Sequence, residues 1–257
     1  PMLLAAAAVL FAAALLHAEA GLIILIASML LSPELAIGGA GSGGLERSRH
    51  VILRTEDLIL ILVGFAWLAR MAIHKDLGAV RRTRLNAAIG LYAACCLLST
   101  LIGIEAGRVR PLVGLCYVAK HVEYFFIFFI TVNYVRTREQ VRKLLIAVLC
   151  TAAAITAYAY WQIPQGVRPS APFEGTPGEP NTLGGYLVLM LAVASGLALS
   201  SDRPRVRRTC ACLALLIVPA LTATLSRSSW LAAAAAAIVL LALAPRRAVL
   251  AATIVLI

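Results

Sequence analysis

Charge is scarce in this sequence of 257 residues. Asp, Glu, Lys and Arg together make up 14%, against about 25% in soluble domains. Among the cations Lys is the scarce one, at three of 23. No P-loop, zinc-protease or nucleophile-elbow motif occurs. The four His are scattered, His17 near the end of an apolar run and His50 and His74 in polar stretches, so no metal cluster and no cofactor is expected. The six Cys (Cys95, Cys96, Cys116, Cys150, Cys210, Cys212) lack any C-x-x-C spacing with a His partner and read as small apolar residues. No basic stripe with interleaved aromatics is present, which argues against nucleic acid as a partner despite the net charge of +11.

What is abundant is hydrophobicity, 61% of residues against about 45 to 50% in soluble proteins. It comes in long blocks almost free of charge, with the cations clustered between them. That is the pattern of a multi-pass membrane protein. A spanning helix takes about 20 apolar residues at 1.5 Å each. By this measure the sequence predicts an all-α, polytopic membrane domain over 1–257, with ten spans near 3–16, 22–37, 56–73, 86–104, 112–134, 144–162, 183–200, 209–225, 230–244 and 248–257. The last run stops after half a hydrocarbon core, without cap or cation, as expected of a chain cut within a span, and Pro1-Met2 suggests a similar cut at the start.

The odd-numbered loops carry 14 cations and the even-numbered ones 7, with Arg70 and Lys120 inside spans. The positive-inside rule therefore turns the odd loops to the cytoplasm. A signal peptide over 3–20, cleaved after Ala18-Glu19-Ala20, is the competing reading; it lacks a basic n-region and would invert every later loop. The outward loops, 38–55, 105–111, 163–182 and 226–229, hold Arg47, Arg49, Arg54, Arg108, Arg110, Arg168 and Arg227 and no Lys. Arg grips phosphate in two-point fashion, although Arg dominates the cations everywhere in the chain.

Three stretches stand out. The loop Gln162 to Gly185 is too rich in Pro and Gly for regular helix. Pro180 turns Glu179 toward extended backbone, and Asn181 or Thr182 can cap a helix beginning near Leu183. Such a helix start is either an ordinary capped turn or an anion site. In Thr222 to Trp230, Arg227 sits among Ser226, Ser228 and Ser229 in a tight turn at headgroup level, as a lipid-phosphate contact or as a snorkelling span marker. Within KHVEYFF, Lys120 and Glu123 share a helix face, as a structural ion pair or as part of an intramembrane polar site.

The run F-E-G-x-x-G-E-P-N-T-L-G-G-Y-L (Phe173 to Leu187), followed after cytoplasmic Arg by T-L-S-R-S-S-W (Thr224 to Trp230), resembles the O-antigen ligase and polymerase family of bacterial envelope proteins. The stretch from Tyr117 to Gln162 is similar to the middle region of that family, and the resemblance covers about residues 55–257. It implies a GT-C-like membrane glycosyltransferase of the bacterial inner membrane that needs no metal. Such an enzyme moves glycan from an undecaprenyl-diphosphate carrier to lipid A core or a growing polysaccharide at the periplasmic face, among membrane lipids. By resemblance Arg227 would bind the diphosphate, with Arg168 as a second candidate, while Glu179 and Asn181 shape the outer loop. The family's catalytic His lies on a large periplasmic loop that nothing here matches; it is expected beyond Ile257, and the chain as it stands is not expected to catalyse. A multi-span permease or exporter fits the size too, although no repeat relates the two halves. A noncatalytic assembly subunit is the third reading.

Overall fold

The computed structural model describes residues 11–31, 34–37, 51–73, 82–172 and 178–243. Residues 11–16 are helical and break at His17. There follow α1 (Ala18–Leu31), strands β1 (Glu34–Ile37) and β2 (Val51–Arg54), α2 (Thr55–Ile73), α3 (Asn86–Glu105), α4 (Pro111–Tyr134) and α5 (Arg138–Gln162). A 3₁₀ turn (Ile163–Gln165), α6 (Pro180–Ser200), α7 (Pro204–Ala223) and α8 (Arg227–Leu243) complete the described elements. Among them, α3 to α7 are long and apolar enough to cross a membrane, and α1 and α8 are shorter apolar helices. These are the helices of a membrane protein. Of the ten expected spans, the first falls largely and the last wholly outside the described residues. The second, expected to run to residue 37, stops at Leu31, after only 14 residues of helix. Beyond it β1 pairs antiparallel with β2, Glu34 opposite Arg54 and Ile37 opposite Val51. The helix α2 has 19 residues but carries Glu56, Asp57 and Arg70.

The helix starts are written locally. Pro111, Pro180 and Pro204 each open a helix at its first turn, where a missing N–H costs nothing. The start of α5 is a capping box: Gln140 N–H donates to Thr137 Oγ1 at 3.2 Å, and Gln140 Oε1 accepts from Thr137 N–H at 3.0 Å.

The chain forms two compact units, Pro1–Leu145 and Ile146–Ile257. In the first, Ala14, Leu22, Val63, Ala66, Trp67 and Ile130 make a buried cluster. Phe126 meets Trp67 edge-to-face at 5.3 Å and lies over Gly64, where a β-carbon would stand 2.7 Å from its ring. Arg70 donates to Leu15 O and Leu16 O at 3.1 and 3.2 Å, satisfying carbonyls at the His17 break. Helices α3 and α4 form a hairpin that turns through Gly107 in left-handed conformation. No residue of α3 is buried, as suits a helix whose surroundings are hydrocarbon rather than water.

In the second unit, Leu183, Leu187, Met190 and Ala194 form the buried face of α6, and Cys210, Ile217, Ala220 and Leu221 that of α7. Pro219 interrupts α7 and removes the N–H that Leu215 O would accept. Tyr160 Oη of α5 donates to the adjacent carbonyl, Leu216 O, at 2.9 Å.

Candidate functional site

The second unit brings the end of α5, the starts of α6 and α8 and the end of α7 together. Only Thr224, Leu225 and Ser226 separate α7 from α8, and Leu225 takes the left-handed conformation at φ 52°, a common way to end a helix though rare for Leu. The last carbonyls of a helix have no partner of their own, and near hydrocarbon an unsatisfied one is costly. Here each named one is met. Leu221 O accepts from Thr224 Oγ1 at 2.7 Å and Trp230 Nε1 at 3.4 Å, and Thr222 O from Leu225 N–H at 3.1 Å. Thr224 O accepts two bonds from one guanidinium: Arg168 Nε at 3.0 Å and Nη2 at 2.8 Å. Thr224, Ser226 and Ser229 are buried. Ser229 Oγ donates to Ser226 Oγ at 2.9 Å, and Ser226 and Ser228 hydroxyls meet at 3.2 Å.

Gly184 is what lets this turn sit against α6. A β-carbon there would stand 2.5 Å from Ser229 Oγ, 3.1 Å from Ser229 Cβ and 3.2 Å from Ser226 Cβ. The N-T-L-G-G-Y and T-L-S-R-S-S-W segments, which start 43 residues apart, are therefore one packed structure.

Arg227 opens α8 and is exposed. The helix begins three residues earlier than expected, so Arg227 belongs to its first turn. Among the described residues no hydrogen bond or ion pair engages its guanidinium. The first turn of α8 carries no acid, so unpaired N–H groups and the positive helix end add to the Arg227 charge. At α6 the expectation is corrected. That helix starts at Pro180 with Glu179 as its N-cap residue, so Asn181 and Thr182 lie inside the first turn; Asn181 is exposed and caps nothing. Glu179 accepts from Thr182 Oγ1 at 2.8 Å; this carboxylate already meets the helix dipole and repels a second anion. Arg168, the second candidate for the diphosphate, directs its fork at a protein carbonyl, Thr224 O.

Beside the turn is an open apolar groove of about 630 Å³, lined chiefly by Tyr160, Ile163, Pro164, Pro219, Leu225 and Trp230. It is shaped for hydrocarbon. Trp161 and Trp230 are both exposed at this end of the unit, as aromatic residues are where a bilayer meets water. No family model, curated protein or solved structure matches the chain.

In the first unit Lys120 reaches across from α4 to α2, its Nζ 3.3 Å from Asp57 Oδ2. Asp57 is buried and Lys120 about one-third exposed. Glu123 lies close to Asp57, so the polar site foreseen within one helix joins two. Among the described residues no group of three or more His, Cys, Asp or Glu is placed to hold a metal ion.

Sequence reasoning missed Asp57, Gly184 and the bond between the Ser226 and Ser229 hydroxyls, which it had noted only as neighbours of Arg227. The Gly-Gly doublet beside a Ser-rich turn was the available signal for the last two; Asp57 gave none, lying 63 residues from its partner.

Proposed function

We propose that this protein moves glycan from an undecaprenyl-diphosphate carrier to lipid A core or a growing polysaccharide, at the outer face of a bacterial inner membrane, within a GT-C-like arrangement of about ten spans. The observation that carries the reading is the exposed Arg227 at the start of α8, held by a hydroxyl-lined turn beside an apolar groove. A lipid diphosphate has an anionic head and a hydrocarbon tail, and those two features lie side by side here. The leaving diphosphate gains charge in the transition state, and a guanidinium placed beside it stabilises that charge. The 14 to 7 cation split supports an outward orientation for this end.

The test is Arg227→Lys, which keeps charge and snorkelling capacity but loses the planar two-point grip. Transfer of glycan in the complete protein should fall about ten- to hundredfold, on the order of 1.4 to 2.8 kcal/mol of transition-state binding, with abundance and topology unchanged. Normal transfer by Arg227→Lys would remove Arg227 from the site.

A further inference from the structure

We propose that Arg168 is a positioning residue: it clamps the end of α7 and so sets the turn that presents Arg227, without itself touching the anionic ligand. The inference rests on Arg227 as the anion-binding group. Its geometry is independent of that reading.

Arg168 directs two of its five N–H donors at one oxygen, Thr224 O, at 3.0 and 2.8 Å. A planar fork on a single carbonyl fixes both the position and the direction of that peptide. The peptide starts the turn, Leu225 follows in the left-handed region, and Arg227 is three residues on. With so short a connection, a shift of Thr224 O passes to Arg227 almost undiminished. The Arg168 backbone is itself anchored. Pro169 is fully buried and Ala171 nearly so, while Ser170 N–H donates to Gln162 Oε1 at 2.9 Å. The loop after α5 is thus tied down just past the clamp, and force applied to the turn meets a fixed post.

The partner oxygen is neutral. The clamp therefore depends mainly on the donors of Arg168, whose charge only strengthens the bond, whereas an anion site at Arg227 needs charge above all. Citrulline separates the two requirements, because it keeps the Nε–H and a terminal NH₂ in a planar group and carries no charge.

The experiment uses the full chain in lipid nanodiscs, with geranylgeranyl diphosphate as the binding probe. A nitroxide label on Leu225→Cys, in a background with the native Cys replaced, reports the mobility of the turn. Arg168→Ala should loosen the label and weaken probe binding about tenfold, the loss typical of one charge-assisted contact. Arg168→citrulline should restore label mobility to normal and bind the probe within about twofold of the parent, while Arg227→citrulline should weaken binding about tenfold or more and leave the label unchanged. A label unaffected by Arg168→Ala overturns the clamp. Weakening by Arg168→citrulline equal to that by Arg227→citrulline also overturns it, because Arg168 would then be using its charge on the ligand. Normal binding by Arg227→citrulline sinks the diphosphate reading instead, and the label still decides the clamp.

Discussion

Replacing Gly184 by Ala adds one methyl group at the contact that joins α6 to the start of α8. That β-carbon would lie 2.5 Å from Ser229 Oγ and within 3.2 Å of the β-carbons of Ser229 and Ser226. The hydroxyl could rotate away, at the cost of its bond to Ser226 Oγ, but the two β-carbons move only if the α8 backbone moves. Overpacking of this kind costs about 1 to 3 kcal/mol. Against it stands the gain of Ala over Gly in a helix, about 0.8 to 1 kcal/mol. Gly185 supplies the control, since it follows directly in the same helix and a β-carbon there meets nothing within 4 Å. The propensity gain is common to both, so Gly185→Ala should be neutral or slightly stabilising, and Gly184→Ala should fall below it by about 1 to 3 kcal/mol. Thermal unfolding in one detergent, with the two variants side by side, reads the difference. If Gly184→Ala is as stable as Gly185→Ala, the close approach of α6 and α8 is not real and the two motifs do not form one site.

Three further outcomes are expected. Lys120→Met should lower the yield of folded protein, because it leaves Asp57 buried beside Glu123; adding Asp57→Asn should recover much of the loss, since a lone buried charge costs more than none, and failure of the double variant to recover would assign the pair a role beyond stability. In a background free of native Cys, a Cys at Ser170 should be labelled from the outer face of the membrane and one at Arg205 only after that membrane is opened; the reverse pattern would invert the orientation. Thr137→Ala should remove half of the capping box with Gln140 and cost about 1 kcal/mol in the same unfolding assay, and no change would mean that the α5 start is held by packing alone.

The helices were legible where local rules make them. Expected and observed bounds differ by at most three residues for α3, α4, α6 and α8 and by five at the start of α7, because a run of about 20 apolar residues between cations leaves the backbone few alternatives. The strand Glu34–Ile37 was not legible. Pro33 signals a helix break after α1, but Glu-Leu-Ala-Ile has no strand pattern of its own, and its pairing with Val51–Arg54 makes it extended. The site divides in the same way. Arg227 could be picked out because its turn is short in sequence. The use made of Arg168 could not, since Thr224 lies 56 residues away and no spacing rule connects a loop cation to a distant carbonyl. The same holds for Asp57 and Lys120. Sequence marks which groups are costly in a membrane; the fold decides which other group relieves each cost.

The capping of α7 also has an order in time. Its terminal carbonyls are met from two directions along the chain, by Arg168 upstream and by Trp230 downstream. Chains are made from the N-terminus, so Arg168 has left the ribosome before Thr224 is added, and Trp230 comes after it. The two-point bond to Thr224 O can close as soon as Thr224 clears the ribosome, while α8 is still inside it, and the direction in which α8 leaves α7 is then set before that helix can pack. Trp230 and the Ser226–Ser229 hydroxyls complete a corner whose angle an earlier segment has already chosen. A nascent chain arrested with Thr224 just clear of the ribosome and α8 still enclosed should already hold the corner, and one carrying Arg168→Ala should not.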